Sequence, residues 1–396
     1  MTRINLTNKL PTLLGYLVGS LLVTWMSSST YGSVTPFQSD KSTLLASRAN
    51  QYLGFSPILA RYPVSNRHHE KYDSGFAFYV DNDLLTPDRI DRDYTGGLAL
   101  TLSGRRATDY WWSLDRPLGL AESLFGLGNL SPNTSKRKYQ LHSIEFGATA
   151  FTPEDVGNSN ADANDRPYAS LFYISNTRHH INQDKGAAIT TALTLGVLGL
   201  PIAGDIYNGI HSAIGNDEGE GWSHQIADGG EPTFRLGISR QQLLSAHNGK
   251  KNSYEFKALT QGSIGYLTEG SIGFTGRWGR INTPWWTFNP ANAKYTEKSS
   301  TVTPFNRTND LFVFGGISTH IRGYNAFLQG QWSKSDVSYE RNELNTIIHE
   351  AWLGVTWGLD EKTNLSYFIR GQTSEIKHGN GNRDPIWGGF VVNYSI

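Results

Sequence analysis

From Gly75 onward, the chain alternates between large apolar side chains and small or polar ones, in segments separated by turns rich in Gly, Asn, Asp and Pro. In 189–197 every second position carries Ile, Leu or Val, except for Thr191, and the positions between carry Ala, Thr or Gly. The final segment, 389–396, alternates in the same way. A period of two predicts β-strands. One apolar face opposite a face of small or polar residues is typical of a strand between lipid and the lumen of a barrel.

Twelve such segments can be counted along the chain. Their approximate ranges are 75–82, 94–104, 140–151, 167–179, 187–199, 232–246, 253–265, 268–279, 310–322, 347–358, 363–374 and 385–396. A closed barrel pairs every backbone amide, as a bilayer requires. An even count places both ends of the barrel sequence on one side, the periplasm. We therefore predict an all-β fold across 75–396: a transmembrane antiparallel β-barrel of about 12 strands, with a short helical segment in an extracellular loop.

Two stretches allow another interpretation. The uncharged run 186–204 could form a membrane helix, but its threonines, glycines and strict alternation favour a strand. The stretch 323–346 either extends the ninth strand or belongs to a long loop.

The N-terminus has the parts of a secretory signal. Arg3 and Lys9 precede the apolar run 13–26, which small residues follow. We predict a signal peptide over 1–32 and a polar, aperiodic extension over 33–74. The alternative is an N-terminal membrane anchor, but the apolar run is shorter than the ~20 residues that a spanning helix needs.

The amino-acid composition excludes several classes of function. The 396 residues include 35 basic and 35 acidic side chains, so the chain has no excess of positive charge for binding nucleic acid. We therefore expect no nucleic-acid partner. Cysteine is absent, which excludes disulfides, thiolate zinc sites and cysteine nucleophiles. The low charged fraction, 18%, and the 42 glycines suit an outer-membrane barrel.

Polar clusters interrupt the alternation at one end of strands one to five. They comprise Asn82-Asp83, 91–95, 152–155, 164–168 and 208–217. If odd-numbered strands run outward, all of them meet at the extracellular rim, near lipid headgroups and ester bonds. Each cluster also has an ordinary structural interpretation, as turn chemistry, a loop ion pair or a packed histidine.

The pairs His68-His69 and His179-His180 suggest metal ligands, but adjacent side chains on a strand point to opposite faces. We therefore do not assign them to a metal site.

At Asn82-Asp83, Asp93-Tyr94-Thr95, 164–168 and the segment from His211 to Asp217, the chain resembles the outer-membrane lipid A 3'-O-deacylase family. The resemblance extends from about residue 75 to the C-terminus. It implies a twelve-stranded barrel that hydrolyses the 3'-linked acyloxyacyl ester of lipid A with calcium bound. Asp217 stands where the family has glutamate, and 152–165 contains no counterpart of the family's active-site lysine.

The resemblance also implies roles for individual residues. His211 matches the general base, and Asn82, Asp83 and Thr95 match active-site positions. The expected calcium ligands are Asp83, Asp217 and Asn82, and the expected substrate-binding residues are Arg166 and Asp93. In the reaction that we expect, neutral His211 takes a proton from water while calcium polarises the ester carbonyl.

The expected partner is lipid A, or lipopolysaccharide, in the outer leaflet of a Gram-negative outer membrane, and we expect a monomer. Two other classes remain open. One is a calcium-dependent outer-membrane phospholipase with Ser212 as nucleophile, although neighbouring residues on a helix do not face each other. The other is a non-catalytic porin or surface barrel. We interpret Trp285, Trp286 and Trp352 as aromatic girdle residues at the membrane interface.

Overall fold

The computed structural model describes residues 70–86, 93–125, 127, 138–215, 217–249, 252–290, 295–296 and 309–396. All of them belong to one compact unit, Leu59–Ile396. The predicted signal peptide, 1–32, and the part of the predicted extension up to residue 69 lie outside the described residues. No helix in the described part of the chain is long and apolar enough to cross a membrane.

The described residues form a closed antiparallel barrel of twelve strands, in which each strand pairs with its sequence neighbours and β1 pairs with β12. The strands are β1 (Gly75–Asn82), β2 (Gly96–Ser103), β3 (Lys138–Phe151), β4 (Ala169–Asn182), β5 (Ala187–Leu198), β6 (Glu231–Asn248), β7 (Ser253–Gly265), β8 (Leu267–Arg280), β9 (Leu311–Asn325), β10 (Ile347–Gly358), β11 (Thr363–Gln372) and β12 (Ile386–Ser395). The predicted fold class is confirmed, and each predicted segment corresponds to one strand.

Three α-helices accompany the barrel in the described residues: α1 (Asp115–Leu124), α2 (Ile202–Ile214) and α3 (Ala326–Gln329). The run 186–204 is strand β5 followed by the start of α2, so the predicted strand is confirmed. The ambiguous stretch after residue 322 extends β9 to Asn325 and then forms α3 and a loop. We call the end where β1 begins and β12 ends the terminal end, and the opposite end the loop end.

The alternation seen in the sequence corresponds to two faces of one wall. In β1, Phe76 and Phe78 are exposed on the outside, whereas Ala77 and Tyr79 are buried in the lumen. β5 also follows the pattern, because Leu195 is exposed while its neighbour Thr194 is buried. The outer face is therefore an apolar belt, as lipid requires.

Aromatic side chains fill the lumen toward the loop end. The ring centroid of Tyr94 lies 4.9 Å from that of Trp387, and Phe151 lies 4.8 Å from Phe327. Tyr295, from the connection between β8 and β9, packs against both Tyr94 and Phe151, at 5.8 and 5.1 Å. All five side chains are buried in one cluster, so this part of the lumen is a packed core.

The interpretation of Trp285, Trp286 and Trp352 as girdle residues is wrong. Their exposed fractions are 1%, 4% and 4%, and they lie inside the barrel. Lys257 in the lumen donates to the carbonyl of Trp285 at 2.9 Å, which ties the connection 281–290 to the inner wall. Aromatic residues in this connection fill the barrel instead of anchoring it at the interface.

Candidate functional site

Asn82 and Thr95 meet where the β1–β2 hairpin opens into its loop. Asn82 caps the 3₁₀ turn Asp83–Leu85, because its Oδ1 accepts a hydrogen bond from the backbone N–H of Leu84 at 2.6 Å. Its Nδ2 donates to the carbonyl of Thr95 at 2.5 Å. Asp83 is buried within the same turn. The structure therefore brings together three of the four predicted catalytic residues.

Thr95 also joins this group to the loop between β3 and β4, residues 152–168, which we call the second loop. The hydroxyls of Thr95 and Thr152 lie 2.7 Å apart. Both side chains are buried. A pair of hydroxyls has two hydrogens and uses only one between its members, so the second hydrogen can be donated to a ligand.

The outer surface beside Asn82 is shallow. Asn82 belongs to the alternating set of β1 that faces outward, and a Cβ on Gly96 would lie 3.2 Å from its Cα. Gly96 pairs with Ala150 on β3, and Ala150 pairs with Ser170 on β4. The surface between Asn82 and the element that covers β3 and β4 therefore carries only small side chains. It spans two strand spacings, or about 10 Å.

The helix α2 covers that neighbouring surface. Its buried residues Ala203 and Tyr207 form a cluster with Tyr168 and Trp222, and Ala150 and Phe172 pack against this cluster. Since Ala150 and Phe172 belong to the outward-facing sets of β3 and β4, α2 lies on the outside of the barrel wall at the loop end.

His211 is held on the buried face of α2. Its ring stacks on Tyr207 with centroids 3.8 Å apart. Its Nδ1 lies 3.1 Å from the backbone carbonyl of Asp217. A carbonyl only accepts, so the proton belongs on Nδ1 and, in the neutral ring, Nε2 is the basic nitrogen. Gly215, at φ +76°, ends the helix in the left-handed conformation and turns the chain back toward His211.

The second loop connects the two groups. It begins at Thr152, which contacts Thr95, and ends at Tyr168, whose ring lies 4.8 Å from Trp222. The carbonyl of Val156 within it accepts hydrogen bonds from the Tyr168 hydroxyl and from the backbone N–H of Glu220. The position of His211 relative to Asn82 is thus set by a continuous path of contacts through this loop.

The predicted calcium ligands are not gathered as a cage. Asp83 is buried in its turn, whereas Asp217 is exposed after α2 and contacts His211 through its carbonyl. Among the described residues, no group of three His, Asp or Glu side chains could hold a metal ion. The role of Asn82, Asp83 and Asp217 as calcium ligands therefore stays a prediction.

The predicted substrate-binding residues, Arg166 and Asp93, form buried ion pairs with each other and with other loops. Arg166 pairs with Glu375, and its Nε lies 3.6 Å from Oδ1 of Asp93. Asp93 accepts from Arg383 at 2.8 Å, in a backbone conformation with φ +71°. These contacts give both residues a structural role, and a direct role in substrate binding stays a prediction.

Arg383 is the member of this group that the sequence did not reveal. It lies in the loop between β11 and β12, residues 373–385, and pairs with Asp93, Asp165 and, at 3.3 Å, Glu154. Burial lowers its pKa, but hydrogen bonds from its guanidinium to Asp93 and Asp165 outweigh burial and raise the pKa above its ordinary value. Arg383 thereby fastens the loop 373–385, which we call the last loop, to Asp93 in the β1–β2 connection and to Asp165 in the second loop.

We expect Arg383→Ala to release the last loop while the barrel stays closed. The loss of charge-assisted hydrogen bonds, each worth ~1.5–3 kcal/mol, predicts about 10- to 100-fold faster hydrogen exchange in 373–385 and 152–168. Lys377→Ala is the control, because that half-buried side chain bonds only to the carbonyl of Asn342 within the described contacts. Equal exchange in the two variants would contradict the fastening role of Arg383.

The closed barrel with its apolar outer belt defines an integral outer-membrane β-barrel protein. The model of the family described as outer membrane protein LpxR matches residues 49–396. The chain therefore belongs to the LpxR family.

A solved structure agrees on the fold. LpxR from Salmonella typhimurium is similar with a TM-score of 0.61 at 17% identity, over 82% of this chain and 100% of that chain. The β domain of the Bordetella autotransporter BrkA gives a TM-score of 0.38 at 9% identity, over 82% of this chain and 100% of that one. A comparison with curated protein sequences gives no match.

Proposed function

We propose that this chain is a lipid A 3'-O-deacylase that hydrolyses the 3'-linked acyloxyacyl ester. The observation that carries the proposal is the placement of His211 on a helix that packs against the outer, lipid-facing side of the barrel wall. The opposite side of this helix exposes Ile202, Ile206 and Ile210, which suits contact with lipid. Membership of the LpxR family supports the same reaction.

In the proposed reaction, His211 acts as the general base. The carbonyl of Asp217 holds the proton on Nδ1, so Nε2 can take a proton from the attacking water and return it to the sugar oxygen that is released when the ester C–O bond breaks. Stacking on Tyr207 fixes the plane of the imidazole. The imidazole of His211 therefore has the required tautomer and orientation before the substrate binds.

Donors for the ester oxygen come from the neighbouring group. The amide of Asn82 has a second N–H besides the one that bonds Thr95, and the Thr95–Thr152 pair keeps one free hydroxyl hydrogen. We propose that these donors orient the water and stabilise the developing oxyanion. Arg166 and Asp93 contribute indirectly, by holding the loops that carry these donors.

We expect Thr152→Val to lower the rate of ester hydrolysis by about 10²-fold, because it removes one hydroxyl of this pair at nearly constant volume. Thr152→Ser keeps the hydroxyl and should retain most of the activity. Release of acyl chains from purified lipid A measures both rates. Wild-type activity in Thr152→Val would exclude the hydroxyl pair from the reaction.

The calcium requirement is a separate proposal, and no step above depends on it. Hydrolysis assayed in a chelator and then with calcium or magnesium restored tests it directly. Full activity in the chelator would remove calcium from the proposed function.

We further propose that the loop end faces the cell exterior and that the protein acts as a monomer on lipopolysaccharide of the outer leaflet. Three of the five connections between the described strands at the terminal end, 183–186, 249–252 and 359–362, have four residues each, whereas five of the six at the loop end have 13 or more. Short turns of this kind are typical of the periplasmic end of such barrels.

The alternative classes find less support. Ser212 is exposed on α2 while His211 is buried, so the two do not form a nucleophile–base pair as a serine phospholipase needs. The packed aromatic cluster in the lumen does not favour a porin.

Mass spectrometry of lipid A from cells with and without the protein tests the proposed function. The expected result is lipid A that lacks the 3'-linked acyloxyacyl group only when the protein is present. Unchanged lipid A together with new lysophospholipid would support the phospholipase, and solute flux through liposomes without acyl release would support the porin.

A further inference from the structure

The outer wall of β4 carries polar side chains where lipid-facing residues are expected. Phe172 and Ile174 face outward, and the same alternation places Asn176, Arg178 and His180 on that outward face. Ionisable groups that face lipid are costly unless they are covered and paired. The structure must therefore shield this part of the wall.

The helix α1 provides that cover. Arg178 bonds both carboxylate oxygens of Asp115 at 2.7 Å and one oxygen of Glu122 at 2.8 Å. His180 Nε2 lies 2.8 Å from the other oxygen of Glu122. Asn176 accepts a hydrogen bond from the backbone N–H that precedes the helix, at 2.9 Å. These contacts form an ionic seam between α1 and the outer wall.

Close packing fixes the helix against the wall. A Cβ on Gly119 would lie 2.7 Å from the guanidinium of Arg178, so a larger residue there would displace this group. Just before the helix, the ring of Trp112 packs edge-on against Phe146 of β3, with centroids 5.0 Å apart. Phe146 pairs with Leu100, an exposed residue of the apolar belt on β2. The surface of α1 is thus continuous with the belt.

The side of α1 that points away from the barrel carries large apolar side chains, and Arg116 and Ser123 are the exposed polar residues of the helix. Leu120, Leu124 and Phe125 are 63%, 78% and 61% exposed, and Trp111 is 93% exposed. A helix in water places its charged residues outside and its leucines inside. Here the carboxylates of Asp115 and Glu122 face the protein together with Leu118, whereas Leu120 and Leu124 face out, an arrangement that lipid surroundings favour.

We propose that α1 lies within the lipid leaflet at the terminal end of the barrel, with Leu120, Leu124 and Phe125 in contact with phospholipid acyl chains. The seam to Arg178 and His180 docks the helix, and the helix in turn keeps these polar groups out of lipid. The partner of this surface is the membrane itself, and the inference does not depend on the proposed function.

Because the chain has no cysteine, single-cysteine spin labelling tests the position of α1 in the full protein. The variants Leu120→Cys and Leu124→Cys are labelled with a nitroxide and reconstituted in phospholipid vesicles. Leu195→Cys, on the lipid-facing side of β5, is the lipid control, and Glu361→Cys, in an exposed turn at the terminal end, is the water control. Collisions with oxygen report lipid, and collisions with a water-soluble nickel chelate report water.

We expect labels at Leu120 and Leu124 to match the Leu195 label, with oxygen collisions several-fold more frequent than nickel collisions. A match to the Glu361 label would overturn the proposal, because α1 would then lie in water. Dipolar broadening between labels would also overturn it, since the partner would be a second copy of the chain. If a label disturbs the helix, Trp111→Phe provides the second test: vesicles with brominated acyl chains should quench less fluorescence in this variant than in the wild type.

Discussion

His211→Ala is expected to reduce hydrolysis of the lipid A ester by about 10²–10⁴-fold, the usual contribution of a general base. The reason is the loss of Nε2, which is the basic nitrogen of the neutral ring when Nδ1 donates to the Asp217 carbonyl. The barrel should stay folded, because His211 belongs to α2 on the outer wall and not to a strand. Mass spectrometry of released acyl chains measures the rate, and the heat-dependent gel shift of the barrel checks the fold.

His224→Ala is the matched control. His224 follows in the same connection between β5 and β6, and its Nδ1 lies 2.5 Å from a carboxylate oxygen of Asp336. We expect nearly full activity in this variant. Retained activity in His211→Ala, with the barrel intact, would contradict the assignment of the base.

The barrel could be predicted from the sequence because each strand separates lipid from a lumen. Neighbouring residues therefore differ in polarity, as Thr194 and Leu195 do, and the alternation repeats in every strand. The proximity of Asn82 and Thr95 was predictable for a related reason, since both lie at the same end of the β1–β2 hairpin.

The position of His211 relative to Asn82 and Thr95 was not predictable by the same reasoning. It depends on the path of the second loop, from Thr152 to Tyr168, whose contacts are formed by backbone carbonyls and aromatic rings. Arg383 was missed because its partners, Asp93 and Asp165, are 290 and 218 residues away in the chain.

The position of α1 shows a second limit of the sequence pattern. Arg178 and His180 break the apolar alternation of β4, which in the sequence resembles the end of a membrane strand. Their partner Glu122 lies 56 and 58 residues earlier. The error at Trp285 and Trp286 has a similar cause, because composition gives their interfacial tendency but not the inward path of the connection that carries them. Trp352 instead lies on the buried face of β10.

Glu375→Ala is expected to lower the free energy of unfolding of the barrel by ~3–5 kcal/mol. Glu375 is buried and pairs with both Arg166 and Arg322, and it accepts from Asn325 at 3.0 Å. Its removal leaves Arg166 with Asp93 at 3.6 Å as its remaining carboxylate partner in the described structure. A buried guanidinium without a close partner is far more costly than the net gain from an intact pair.

Denaturant unfolding of the barrel in detergent micelles measures this change, with Glu361→Ala in an exposed turn as the control, expected within ~0.5 kcal/mol of the wild type. The double variant Arg166→Met with Glu375→Leu should be less unstable than the sum of the two single variants, because it removes both charges of one pair. Additive losses would mean that the Arg166–Glu375 pair is not coupled. A loss below ~1 kcal/mol in Glu375→Ala would mean that water or Asp93 compensates Arg166, and the loop end would then owe its stability to aromatic packing and not to this ion pair.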